Sequence, residues 1–450
     1  MENTVKHFTL KLAAAATLSA ALSSAAVAGG FMLTEQSVAG LGRAYAGAGI
    51  VGDDLSAVWY NPAGMSLLSG TAVQMGAVMA DLDLEVTTNE NATFGGASKE
   101  NGRKHGVPVP NMYLVHQIKD DMWFGLGITV PFGMATEYDN DWAVADKGMN
   151  AEVKVFDINP NVAFKLTDTL SFGAGVSLQY VTAQFEQREG TSAANVRVRL
   201  NADGWAWGGN LGFMWQPTDT VRIGLAYRSQ VNHKADGYLK SEFNCDALNI
   251  HTNYKSDDGH AEMSAPHVIT LTGTWKATDA LRLSGLVRWT NWSSFDKLPI
   301  SGDSLAHAQA DAYAVKEGRP GTGNAYYAGV KAQGGDKHDA VYNWKDSWLF
   351  TVGADYDIND EFTVRGGVGY EISPVDDDKY RSATIPDTDR LWLSMGATWH
   401  ASKNLQGDFG IAYLKGIGNK DLYNEKGVKV AEFDKLDAIL WGAQFVYKFD

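Results

Sequence analysis

At 450 residues, 45% hydrophobic and formally −15 at pH 7, the chain is too acidic to favour nucleic acid or an anionic lipid surface as a partner. Its single cysteine, Cys245, excludes an intramolecular disulfide and a multi-cysteine zinc site. A soluble chain of this length would divide into roughly two or three domains, but 48 Gly, 14 Trp, 18 Tyr and 18 Phe point elsewhere.

The chain opens with Lys6 and Lys11, an apolar run from Leu12 to Val27, and Ala26-Val27-Ala28 before Gly29. This order of charge, apolar core and small residues reads as a secretory signal peptide over residues 1–28. Its removal takes away one acid, Glu2, and two bases, Lys6 and Lys11, so the mature charge moves from −15 to −16. No later stretch is apolar for the ~20 residues that a membrane-spanning helix needs. A membrane barrel stays open, because half of each strand faces the lumen and can be polar.

Residues 29–70 are rich in Gly and Ala, carry Asp53-Asp54 and the run Trp59-Tyr60-Asn61-Pro62-Ala63-Gly64, and do not alternate. From residue 71 to 450 alternation dominates, as it must where side chains of a strand point to opposite faces. Leu281, Leu283, Val287 and Trp289 oppose Arg282, Ser284, Arg288 and Thr290. Leu391, Leu393, Met395, Ala397 and Trp399 likewise oppose Arg390, Ser394, Thr398 and His400. In the last segment Ile439, Trp441, Ala443, Phe445, Tyr447 and Phe449 share a face. Fourteen strands are expected, near 71–86, 108–118, 122–130, 152–166, 170–183, 204–216, 220–233, 262–275, 280–293, 347–357, 362–373, 390–400, 405–415 and 437–449.

The connections place the apolar face. Tight turns at 119–121, 167–169, 217–219, 276–279, 358–360 and 401–404 alternate with long polar links, the longest from about 294 to 346. Turns on one rim and long loops on the other mark an outer-membrane barrel. Trp275, Trp289, Trp348, Tyr370, Trp399 and Tyr447 fall near strand ends on the apolar face, as an interfacial girdle would. Tyr447-Lys448-Phe449-Asp450 is close to the aromatic terminal strand that outer-membrane assembly machinery reads, with Asp450 in place of a terminal Phe. So many strands enclose more space than their own side chains fill, and residues 29–70 are the expected plug. In the third strand Gly125 and Gly127 are followed by Pro131 and Gly133, a pattern that interrupts a ladder and leaves a gap in the wall.

Gly40-Leu41-Gly42-Arg43-Ala44-Tyr45-Ala46-Gly47, Asp53-Asp54, Asn61-Pro62-Ala63, Pro131 to Glu137, Trp344-Lys345-Asp346 and Ile385-Pro386-Asp387-Thr388-Asp389-Arg390 resemble, in the same order, the FadL/TodX long-chain fatty acid transporters. The resemblance covers nearly the whole mature chain. It implies a 14-stranded antiparallel transmembrane β-barrel (all-β) with an N-terminal hatch in the lumen, in the outer membrane of a Gram-negative cell. It implies passive uptake of hydrophobic small molecules: landing among the extracellular loops, a tighter site under the hatch, then lateral exit through the wall. Long-chain fatty acids are the expected cargo and aromatic or aliphatic hydrocarbons the alternative, with outer-membrane lipid, lipopolysaccharide and the barrel-assembly machinery as surroundings.

By the same resemblance Phe31 holds the position that touches the inner site, and Arg188 a position where the family places a basic residue. Lys345, Arg365 and Arg390 are further basic candidates for a carboxylate, each free to pair instead with lumen acids such as Glu371. Gly42, Arg43, Asn61, Pro62 and Ala63 carry the hatch motif, and Gly125, Gly127, Pro131 and Gly133 the lateral opening. No cofactor or metal is expected, since ten histidines lack paired ligand spacing. Gly302-Asp303-Ser304-Leu305 echoes a lipolytic nucleophile block but lacks the strand-to-helix setting that activates such a serine, so no enzyme is expected.

Overall fold

The computed structural model describes residues 29–95, 98–102 and 106–449; the expected signal peptide lies outside them. The alternation is honoured: in the last strand Ile439, Trp441, Phe445 and Tyr447 are exposed on the outer face, while Leu440, Gln444 and Val446 are buried. Among the described residues fourteen antiparallel strands form the closed wall. They are β1 Thr71–Thr88, β2 Val107–Lys119, β3 Met122–Glu137, β4 Asn150–Lys165, β5 Leu170–Gly190, β6 Asn195–Thr218 and β7 Val221–Arg228. The circuit continues with β8 Val268–Lys276, β9 Leu281–Thr290, β10 Ser347–Asp357, β11 Phe362–Ile372, β12 Asp389–His400, β13 Leu405–Ile417 and β14 Lys429–Lys448. Closure is the β1–β14 ladder, running from Ala72↔Lys448 to Thr88↔Ala431. A closed wall leaves no edge to satisfy in hydrocarbon.

Every expected strand is present and every tight turn falls on the same rim. The differences lie at the other rim. β3, β5, β6 and β14 extend well past their expected ends, and β1 by two residues. β7 is succeeded after Ser229-Gln230 by a second limb, Val231–Cys245, and Ile250–Ala265 leads into β8 through Pro266-His267. The link from 294 to 346, expected as a polar loop, is instead ordered: strands Lys297–Ser301 and Lys337–Val341 flank the helices Asp303–Lys316 and Gly323–Ala332. Its polar residues take the exposed faces, while Leu298, Ile300, Leu305, Ala308 and Ala314 are buried. Ser304 lies in the helix Asp303–Lys316 with its hydroxyl donating to Leu239 O at 2.9 Å, the contact of a packed helix start.

Residues 29–51 and 54–65 are buried inside the wall, a hatch of short pieces, Val38–Leu41, Ala57–Tyr60 and the 3-10 turn Pro62–Leu67. Asn61 starts that turn by accepting from Ala63 N, and Pro62 brings a preset φ and no orphan donor. The wall is thinned to admit it. A β-carbon at Gly212 would stand 2.1 Å from Asn61 Oδ1, and one at Gly173 2.5 Å from the Pro62 carbonyl carbon.

Candidate functional site

Among the described residues, the ladder between β2 and β3 stops well short of the ends of both strands. Their ladder runs only to Met112↔Ile128. Beyond it β2 continues to pair with β1 as far as Val107, and β3 continues to pair with β4 through a register shift between Thr129 and Phe132. Pro108 and Pro110 on β2 have no N–H to offer, and Pro131 on β3 has none either. Gly125 and Gly127, expected in this interruption, are outside it: they pair with Val115 and Tyr113 on one side and Asn161 and Asn159 on the other. Their purpose is clearance, since a β-carbon at Gly125 would lie 2.4 Å from Met65 Sδ of the hatch.

The hatch N-terminus occupies the broken stretch as a surrogate strand. Leu33 N donates to Pro131 O at 2.8 Å and Gly133 N donates to Phe31 O at 2.9 Å, around the antiparallel bridge Met32↔Phe132. Gln36 Nε2 donates to Val130 O at 2.8 Å. Those bonds aim Phe31 into an aromatic cage. Its ring stands edge-on to Trp292 at 4.7 Å, Phe295 at 5.2 Å and Phe132 at 5.9 Å, with Trp344 at 6.2 Å. Such pairs add about 0.5–1.5 kcal/mol each beyond the area they bury. Gly30 adopts φ +67, and a β-carbon there would stand 2.7 Å from Trp292, so glycine alone satisfies both backbone and space.

Below the cage sits a buried ionic cluster. Glu371, 2% exposed, pairs with Arg288 at 3.4 Å and Arg390 at 3.7 Å. Arg390 also meets Asp387 at 2.9 Å. Gly29 N lies 3.0 Å from Glu371 Oε1, and Gly30 N donates to Asp387. Glu35, fully buried in the hatch, has no hydrogen-bond partner on either carboxylate oxygen; burial, reinforced by Glu371, pushes its carboxyl up to about 7. Burial pushes the Asp387 carboxyl, in the loop before β12, up to about 6 against the pull of Arg390. A cavity of about 30 Å³ adjoins, lined by Gly30, Met134, Ile385, Arg390 and Leu436 among others. That is room for about one water molecule and nothing larger.

The expected basic residues divide. Arg390 lies at the site. Arg365 pairs with Asp355 at 3.3 Å, Asp408 at 3.6 Å and Asp53 at 3.7 Å, and Arg43 bonds Asp53 at 2.6 Å and Asp355 at 3.3 Å. This network clamps the hatch to β10, β11 and β13, and Gly42 packs on Arg365 so closely that a β-carbon there would stand 2.9 Å from that side chain, leaving no room for one. Lys345 is exposed and pairs with Asp376 at 3.0 Å. Arg188 donates to Asn140 O at 2.8 Å and covers Phe94, whereas its neighbours Gln187 and Glu189 line an outer vestibule of about 840 Å³. Strand alternation turns Arg188 to the opposite face. The vestibule is also lined by Phe185, Tyr380, Lys147, Arg381 and Tyr342, and Tyr342 reaches the cage, 4.9 Å from Phe295.

Sequence reading missed Glu35, Arg288 and the cage partners Phe132 and Tyr342. Their signal was weak: each is one residue in an ordinary strand or loop, and only closure of the barrel brings them together.

The profile of the outer membrane protein transport proteins (OMPP1/FadL/TodX) matches residues 19–449. The chain belongs to this family. A long-chain fatty acid transport protein of Escherichia coli O6:H1 is 28% identical, over 96% of each chain. Outer membrane protein P1 of Haemophilus influenzae is 30% identical, over 92% of this chain and 91% of its own. Among solved structures, a Pseudomonas aeruginosa FadL homologue superposes with a TM-score of 0.76 at 22% identity, over 94% of this chain and all of that one. The Pseudomonas putida toluene transporter TodX gives 0.67 at 15% identity, over 88% and 94%. The OMPP1/FadL/TodX fold accounts for the closed wall, and family membership makes this an outer-membrane transport protein for hydrophobic compounds, not an enzyme.

Proposed function

We propose that this protein takes up long-chain fatty acids passively, with the hatch N-terminus as gate and the β2–β3 gap as lateral exit. The observation that carries the reading is the surrogate strand: the residues that plug the broken ladder also hold Phe31 in the cage. A substrate entering from the vestibule by way of Tyr342 meets a cavity of about 30 Å³ beside the cage. It gains a place there by displacing Phe31, and that displacement pulls on the bonds that close the wall. An acyl chain released at the gap enters hydrocarbon rather than water, which favours lateral exit by roughly 0.8 kcal/mol per methylene. Arg390, on the cavity lining, supplies a cation for a carboxylate. The expected roles of Arg188, Lys345 and Arg365 in substrate binding are not part of this reading.

The test is uptake by cells lacking their own transporter and expressing this chain. Oleate uptake is expected to depend on expression; no gain over the empty strain would overturn the fatty-acid reading. The aromatic cage favours a second cargo, monoaromatic hydrocarbon, and toluene uptake without oleate uptake would establish it.

A further inference from the structure

The cluster under the hatch holds more buried acid than base. Its carboxylates are Glu35, Glu371 and Asp387; its cationic side chains are Arg288 and Arg390. A carboxylate held this deep without compensation is expelled or neutralised, and two of the three are pushed upward. The backbone shows where the missing charge belongs. The Gly29 nitrogen stands 3.0 Å from Glu371 Oε1, the distance of a charge-assisted hydrogen bond, and the next nitrogen donates to Asp387. As a peptide nitrogen Gly29 N offers one hydrogen and no charge. Hydrolysis of the Ala28–Gly29 bond, with one water consumed, would leave a carboxylate on the departing peptide and an α-ammonium at this nitrogen.

We propose that the α-ammonium of Gly29, created by signal-peptide removal, is the third cation of this cluster, and that its ion pair with Glu371 latches the hatch N-terminus into the cage. Phe31 is two residues along, so the latch seats the gate. The space fits: a β-carbon at Gly29 would stand 3.1 Å from the same Glu371 oxygen, so the residue is held against its partner. Glu371 is thus a positioning residue for Phe31, and the gate is assembled only in the processed chain. The inference rests on cleavage after Ala28 and on the reading of Phe31 as the gate.

The experiment uses the full chain, expressed with its leader, extracted from outer membranes in detergent and checked by intact mass and heat-modifiable mobility. A limiting amine-reactive reagent at pH 7 reads the α-amine, whose ordinary pKa lies about 2.5 units below that of lysine. In the folded protein Gly29 is expected to label at least about tenfold more slowly than in the heat-unfolded chain, because a buried ion pair reacts only on local opening. Glu371→Gln is expected to bring the folded rate close to the unfolded one. Should that variant fail to fold, insertion of one alanine between Ala28 and Gly29 keeps every side chain and moves the ammonium off its partner; it too is expected to label fast. Equal rates in folded and unfolded native protein, or slow labelling in the insertion variant, overturn the latch. A mature mass that does not begin at Gly29 overturns the cleavage reading and the latch together. Oleate uptake, measured apart, decides the transport reading on its own.

Discussion

Arg390 meets two buried acids and also lines the cavity beside Gly30. If its guanidinium receives a substrate carboxylate, Arg390→Gln removes a charge-assisted hydrogen bond worth about 1.5–3 kcal/mol, or roughly a tenfold or greater loss of oleate uptake. Toluene uptake should stay within about twofold, because nothing on that molecule answers a cation, and Arg390→Lys should restore part of the oleate rate. Equal losses for both cargoes would mean that Arg390 only holds Glu371 and Asp387. The motif around Asp387 and Arg390 made this residue legible in the sequence. Arg365 was legible as a lumen residue, yet its partners Asp53, Asp355 and Asp408 come from three separate segments, and pairing across a closed wall leaves no local trace. Arg188 shows the complementary limit: a slip of one position in an extended strand reverses the face.

The element that matters most is β3, and its lesson is that an interruption read in one strand is filled by another segment. Pro131 and Gly133 mark the break, but nothing in the period of residues 29–36 signals that they would lie along it. The pattern Leu33 N to Pro131 O and Gly133 N to Phe31 O makes Met32 and Phe132 a non-hydrogen-bonded antiparallel pair. Such pairs bring Cα atoms to about 4.5 Å, within the reach of a disulfide. Met32→Cys with Phe132→Cys should therefore cross-link, with Cys245 buried on the far limb of β7 as the remaining thiol. The oxidised protein is expected to lose nearly all oleate uptake, and a reductant to return it to within about twofold of the reduced control. Uptake that ignores the cross-link would refute exit through this gap. The strand list was otherwise readable, since fourteen alternating segments and their short turns needed no tertiary knowledge. The extracellular ends were not, although alternation persists there: Val196, Val198 and Leu200 are buried on one face, against other extracellular segments rather than in lumen or membrane, and no tight turn marks where such a strand begins.

For the molecule as a whole, the wall and the hatch are two structures with separate sources of stability. The wall closes through its own ladder, from Ala72↔Lys448 onward, and hides its polar backbone from hydrocarbon. The hatch has only short helical turns and is held by what it touches: the surrogate strand at its start, the Arg43–Asp53–Asp355–Arg365 network in its middle, and wall hydrogen bonds such as Val38 N to Gln444, Arg222 to Val51 O and Arg228 to Trp59 O. Arg43 is 2% exposed and, with Asp53, is the hatch's contribution to that network. Arg43→Met keeps much of the side-chain volume but leaves Asp53 and Asp355 to share Arg365. Breaking a buried ion pair from one side costs about 3–5 kcal/mol and falls on the hatch, while the ladder loses no bond. The variant should keep its heat-modifiable mobility, showing an intact wall, and open to ions in planar bilayers far more often than the native protein. If the hatch were instead an integral part of barrel folding, Arg43→Met would abolish heat modifiability before any conductance could be recorded.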